Sequence, residues 1–204
     1  LVLAQRGDSA IYLMRGGAQG LGAPQKLAQA GGVDALAAGN IDRPDGFADL
    51  AVAVSGKTGA SLQIYTAGID AAARTQTLPS AASELHVGQI DASPMGDIAV
   101  LSAGKVLLLH GVDRSERTSA ADTLETLDFS FAVQTMALGE FIWDRDGATE
   151  LALLKDDGCK RQGYDDFDKI SFWKTPTTQC KTQDNKCVPY HKWVSDYIAV
   201  LGGR

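Results

Sequence analysis

Apolar residues come in short runs along this chain: 50-LAVAV-54, 62-LQIY-65, 98-IAVL-101, 106-VLLL-109 and 151-LALL-154. Runs of four or five residues between Gly- and Asp-rich stretches predict strands, and helical periodicity is poor throughout. Several runs do not alternate apolar with polar residues, which predicts strands covered on both faces. The segments 71-AAARTQ-76 and 119-SAADTLETL-127 have the composition for a turn or two of helix. We read both as loops or outer strand edges.

The runs recur with a period. Segments 36-LAAGNIDRPDGFADLAVAVSG-56, 85-LHVGQIDASPMGDIAVLSAG-104 and 136-MALGEFIWDRDGATELALLKDDG-158 share one order: apolar strand, Gly, polar residue, apolar residue, acidic turn, closing acid, apolar strand. Gly39, Gly88 and Gly139 lie 49 and 51 residues apart, and the closing acids Asp49, Asp97 and Glu150 lie 48 and 53 apart. Several short strands repeated at about fifty residues is the pattern of β-propeller blades, which carry about four antiparallel strands each. The fold class is therefore all-β, with a β-propeller as the expected architecture.

The three glycine-to-strand segments resemble the FG-GAP/VCBS repeat family, which includes the propeller of integrin α-subunits. The link 11-IYLMRGGAQGLGAPQKLAQAGGVDALAAGNID-42 is similar to that family's strand, Gly-rich turn and next strand, with Leu21 in the usual aromatic place. The resemblance covers residues 1–158, taken as blades with the first truncated. Residues 1–17 align with 50–68, and 195-SDYIAVLGG-203 resembles 96-GDIAVLSAG-104. A closed propeller takes about 4 to 8 blades, so three good repeats and one poor one point to an incomplete propeller or a fragment. Joining of the two terminal pieces into one blade is the alternative. Residues 159–204 depart from the pattern and are taken as a degenerate last blade or a Cys-containing insertion.

The acidic corners raise the question of calcium, an ion that gathers about 6 to 8 oxygens. In the family this resemblance points to, the corner reads D-x-[DN]-x-[DN]-G-x-x-D around one calcium ion. Here the first corner keeps Asp45 and Asp49, while Ile41 and Arg43 stand at ligand positions and Asp42 falls one residue early. The second has Gln89, Asp91, Ser93 and Asp97 at the ligand spacing, with Pro94 in place of the glycine. The third keeps Asp144, Asp146 and Glu150, but Ile142 replaces the first ligand. Candidate calcium ligands are therefore Asp42, Asp45, Asp49, Asp144, Asp146 and Glu150. The competing reading, preferred for all three corners, is a turn whose closing acid accepts backbone N–H groups.

Composition narrows the function. A net charge of −6 with pI near 5.0 and singly scattered basic residues supply no basic face for nucleic acid or an anionic membrane. No apolar run approaches the roughly 20 residues that span a bilayer. The three cysteines, Cys159, Cys180 and Cys187, permit one disulfide and one spare. Cys180 and Cys187 flank a polar segment and are the candidate pair if the compartment is oxidising; their spacing lacks the paired CxxC of a zinc site. Arg6-Gly7-Asp8 spells the tripeptide that integrins recognise, in a place where a strand turn also requires Gly and Asp. His86 and His110 are expected at satisfied core or edge positions rather than as ligands or bases. Tail aromatics Trp173, Trp193, Tyr164, Tyr190 and Tyr197 are read as packing of the terminal module, with a glycan or protein contact as the alternative.

No nucleophile elbow, zincin motif or phosphate loop is present. The expected function is a non-enzymatic binding or scaffold module of an extracellular, periplasmic or cell-surface protein, contacting protein or glycan through its loops. The alternatives are a propeller domain of a carbohydrate-active enzyme and a structural subunit of a larger assembly.

Overall fold

The computed structural model describes residues 1–43, 45, 47–66, 73–91, 93–114, 122–139, 141 and 149–155, together with the strand backbones of 177–181, 186–190 and 200–201. Among the described residues there is no helix, and all pairing is antiparallel. The chain is all-β, built from several small sheets.

The first sheet joins β1 (Val2–Ala4), β2 (Ala10–Leu13) and β5 (Gln25–Ala28), with the short hairpin β3 (Gly16–Gly17) and β4 (Gly20–Leu21) between its last two strands. Next come two four-stranded meanders. One is β6 (Gly32–Gly39), β7 (Asp49–Gly56), β8 (Gly59–Tyr65) and β9 (Arg74–Leu78). The other is β10 (Ala82–Gly88), β11 (Asp97–Ser102), β12 (Lys105–Leu109) and β13 (Leu124–Leu127). A further sheet holds β14 (Val133–Gly139), β15 (Glu150–Lys155) and β18 (Val200–Leu201), and β16 (Thr177–Lys181) pairs with β17 (Lys186–Tyr190). The segments read as loops or outer edges end in outer strands, β9 and β13.

The apolar runs lack alternation because both faces of their strands are covered. On β7, Leu50, Val52 and Val54 pack with Ile11 and Val33 toward the first sheet. Ala51 and Ala53 turn the other way, into a layer with Leu62, Ile64, Leu85, Ile98, Val100, Leu107 and Leu109 between the two meanders. The opposite face of β11, with Ala99 and Leu101, meets Met136, Leu151 and Leu153 of the next sheet. Each fully buried Leu or Ile in these layers contributes about 1.5–3 kcal/mol relative to exposure.

The repeat is visible in the backbone. Each first strand slips register at the same place, between Val33 and Ala35, between Ala82 and Glu84, and between Val133 and Thr135. Such a bulge sharpens strand twist. Each motif glycine is the Cα partner of its closing acid: Gly39 with Asp49, Gly88 with Asp97, Gly139 with Glu150. Neighbouring sheets are also hydrogen-bonded to each other, at one end or at both. Gly96 N donates to Asn40 O at 2.6 Å, and Thr149 N to Gln89 O at 2.6 Å; at the other end, Val33 N reaches Asp8 O and Val133 N reaches Gly104 O, each at 2.8 Å.

The tail differs from expectation. Likeness of 195–203 to 96–104 would make it the second strand of a further unit, equivalent to β11. Instead, Val200 and Leu201 pair with Ala152 and Leu151 of β15. That is the edge β12 occupies on β11, and β15 gains there a partner for its outer backbone groups. The stretch 169-KISFWK-174, which reads as a strand in sequence, lies outside the described residues.

Candidate functional site

The chemistry gathers at the acidic corners, where the first strand of a sheet hands over to the second. Three closing acids share one job. Oδ2 of Asp49 accepts the amides of Ile41 and Asp42 at 2.8 and 2.9 Å. Oδ2 of Asp97 accepts those of Ile90 and Asp91 at 2.9 and 3.1 Å, while its Oδ1 accepts Gly111 N at 3.0 Å. Oε2 of Glu150 accepts Phe141 N at 2.5 Å. All three acids are buried. Burial raises the carboxyl pKa of Asp49 and of Asp97; the amide hydrogen bonds oppose it, and the neighbouring acids Asp42 and Asp45, or Asp91, add to it.

At the first corner the expected calcium ligands have other partners. Asp42 is buried and takes both oxygens to Nη2 of Arg74, at 2.7 and 2.9 Å. Nε of Arg114 stands 3.4 Å from the same carboxylate. Both guanidiniums also bond Asp122, and Arg114 N donates to Asp42 O at 2.9 Å. Two arginines and two aspartates thus clamp the loop after β12 onto the corner before β7. Asp45 is exposed, with Oδ1 accepting Phe47 N at 2.9 Å. At the third corner Asp144 and Asp146 lie outside the described residues.

The second corner, the poorest calcium match in sequence, brings the most ligand groups together. His110 directly follows β12, and its Nδ1 lies 3.1 Å from Asp91 Oδ2 and 3.4 Å from Asp97 Oδ1. Its Nε2 lies 3.1 Å from Glu125 Oε2 on β13. Burial alone would lower the imidazole pKa. The Glu125 hydrogen bond, the Asp97 charge and Asp91 outweigh it and raise the pKa above its usual value. Asp91, Asp97 and His110 form the three-residue group of close metal-type ligands among the described residues. Sequence reading placed His110 at a core or edge position. Only its place at the end of an apolar run, level with the corner acids, hinted at more.

Elsewhere, Arg6-Gly7-Asp8 forms the exposed turn between β1 and β2, with Gly7 at φ +86°, a conformation that favours glycine. Gly7 N donates to Val33 O at 2.8 Å, which anchors the tripeptide's backbone on β6. His86 on β10 is half-buried and 3.7 Å from Glu84. Cys180 and Cys187 are Cα partners across β16 and β17. Cys159 and the tail aromatics other than Tyr190 lie outside the described residues. Among the described residues no helix is long and apolar enough to cross a membrane.

No protein-family model matches the chain.

Proposed function

We propose that this chain is a run of β-propeller blades, resembling FG-GAP/VCBS repeats, that serves as a non-enzymatic binding or scaffold module. It contacts protein or glycan through the corner loops at one end of its sheets. One observation carries the reading: successive sheets pack face to face and are hydrogen-bonded to one another, and the bulge, the glycine and the closing acid recur in the three sheets that begin with β6, β10 and β14. A scaffold of this kind holds its corners rigid and leaves the loop tips to vary. Phe47, 78% exposed at the first corner, is the apolar side chain such a tip would offer a partner. The facing positions of Cys180 and Cys187 favour an oxidising compartment, hence an extracellular, periplasmic or cell-surface location.

Binding on a glycan array or to immobilised extracellular proteins, with no product formed and with loss of signal in Phe47→Ser, supports this function. Cleavage of an arrayed glycan by the purified chain sinks it in favour of a carbohydrate-active enzyme. A second reading, a subunit whose first sheet is covered in a larger assembly, is favoured by Leu3 on the edge strand β1 and Leu1 just before it, which are 48% and 58% exposed. A well-behaved monomer in size-exclusion chromatography counts against it.

A further inference from the structure

The first two corners balance charge in different ways. At the first, Asp42 and Asp122 face the permanent cations of Arg74 and Arg114. At the second, Asp91, Asp97 and Glu125 converge on His110. Among the described residues it is the only cationic side chain paired with those three carboxylates. An imidazole is a cation only while it holds both protons, and even then one positive charge faces three negative ones. Asp97 is fully buried, so its charge has little help from solvent. A divalent cation would correct the imbalance.

We propose that Asp91 Oδ2, Asp97 Oδ1 and His110 Nδ1 bind a divalent transition-metal ion of the zinc type. In a tetrahedral site with metal–ligand bonds of about 2.0–2.1 Å, neighbouring ligand atoms stand roughly 3.3 Å apart. Nδ1 lies 3.1 Å from one carboxylate oxygen and 3.4 Å from the other, and all three ligand atoms lie within 4.8 Å of one another. The ion takes the place of the proton on Nδ1, and water completes its coordination. The remaining ring nitrogen, Nε2, keeps its hydrogen and donates it to Glu125 Oε2 at 3.1 Å. That is how metal-bound imidazoles are commonly oriented. Asp97 is held by three backbone amides, so it is aimed before the ion arrives. One nitrogen and two carboxylate oxygens suit zinc, nickel or copper; calcium wants a larger, all-oxygen shell.

The test uses the whole chain, stripped with chelator and titrated with zinc chloride by calorimetry and thermal shift, with calcium and magnesium as comparisons. One equivalent of zinc is expected to bind and raise the melting temperature, while calcium and magnesium leave it unchanged. His110→Gln should abolish saturable binding, and Glu125→Gln should weaken it about tenfold. Both variants are first checked for folding by circular dichroism without metal. Cobalt(II) serves as a second probe, because His191 and the three cysteines of the tail are also zinc-type ligands. A d–d spectrum without the thiolate charge-transfer band, lost in His110→Gln, supports the site. Equal zinc affinity in wild type and His110→Gln, a thiolate band at the first equivalent, or no saturable binding overturns it.

Discussion

Nη2 of Arg74 stands 2.7 Å from Oδ1 and 2.9 Å from Oδ2 of Asp42, a residue only 2% exposed, so one guanidinium nitrogen serves both oxygens of a buried carboxylate. Arg114 approaches the same carboxylate, and both arginines meet Asp122. Removing one member of a buried pair leaves the others charged and uncompensated, which costs about 3–5 kcal/mol. Arg74 is partly solvated, so the lower end applies. Asp42→Ala should lower stability by about 3 kcal/mol, seen as a fall in the urea midpoint with the slope unchanged. A midpoint equal to wild type would show that the clamp holds nothing together.

The closing acids should rank by how many amides they satisfy. Asp97 accepts three and Asp49 two. A buried donor stripped of its acceptor costs about 1–3 kcal/mol. Asp97→Ala is therefore expected to destabilise the chain more than Asp49→Ala, each by about 2 kcal/mol or more. Asp97→Asn should recover part of the loss, since its amide oxygen still accepts. Denaturant melts of the three variants check this order, and the reverse ranking would contradict it.

Both acids stand at positions the sequence repeat marked out, and so do the glycines opposite them. Repetition was legible because each unit needs the same turn and the same buried strand. The bulges at Asp34, Ser83 and Gln134 were not, since nothing in those residue types distinguishes a bulge from a regular strand. Nor was the clamp. Arg74 and Arg114 read as scattered basic residues; the order of strands within one sheet sets Arg74, on β9, beside Asp42, and the stacking of the next sheet brings Arg114 to it. His110 was placed by its apolar neighbours, Leu107 to Leu109. That pattern fixes which strand carries the imidazole but not that Asp91 and Glu125 wait beside it, because sequence spacing says little about which loops meet.

The clamp also bears on calcium. Two guanidiniums already neutralise Asp42, Asp49 Oδ2 is taken by two amides, and Asp45 turns to the amide of Phe47. Assembling calcium's oxygen shell at the first corner would mean dismantling those bonds. We expect millimolar calcium, compared with chelator, to leave the melting temperature unchanged, since a ligand stabilises only the state it binds. A saturable rise in wild type that disappears in Asp49→Asn would instead establish a calcium site there.

Gly111 is packed as tightly as any glycine of the second corner. Its amide donates to Asp97 Oδ1 at 3.0 Å. A Cβ on it would stand 2.5 Å from the Gly96 carbonyl oxygen and 2.8 Å from Met95 Cβ. The first neighbour is backbone and cannot swing aside. Gly111→Ala should therefore push the loop off the corner and cost about 1–3 kcal/mol. Amide exchange read by NMR would show faster exchange at Gly111 and Ile90 ahead of the strand interiors. Unchanged exchange at both positions would mean that the loop yields without strain.

Cys180 and Cys187 face each other in the antiparallel register of β16 and β17. Directly opposed residues in such a pair have Cα atoms about 4.5–5.5 Å apart, inside the roughly 4.4–6.8 Å that a disulfide spans. Lys181 and Lys186 lie between them, so trypsin cuts the hairpin and frees each cysteine on its own peptide. From chain made in an oxidising compartment and alkylated without reductant, the two peptides should run as one species that separates on reduction, with Cys159 the sole labelled thiol. The closed loop is short, so its loss should cost less than a long-range bridge would. Cys180→Ser is accordingly expected to leave the melting of the first three sheets unchanged while loosening the hairpin to proteolysis. Recovery of the two peptides unlinked and fully alkylated from that compartment would rule the bridge out.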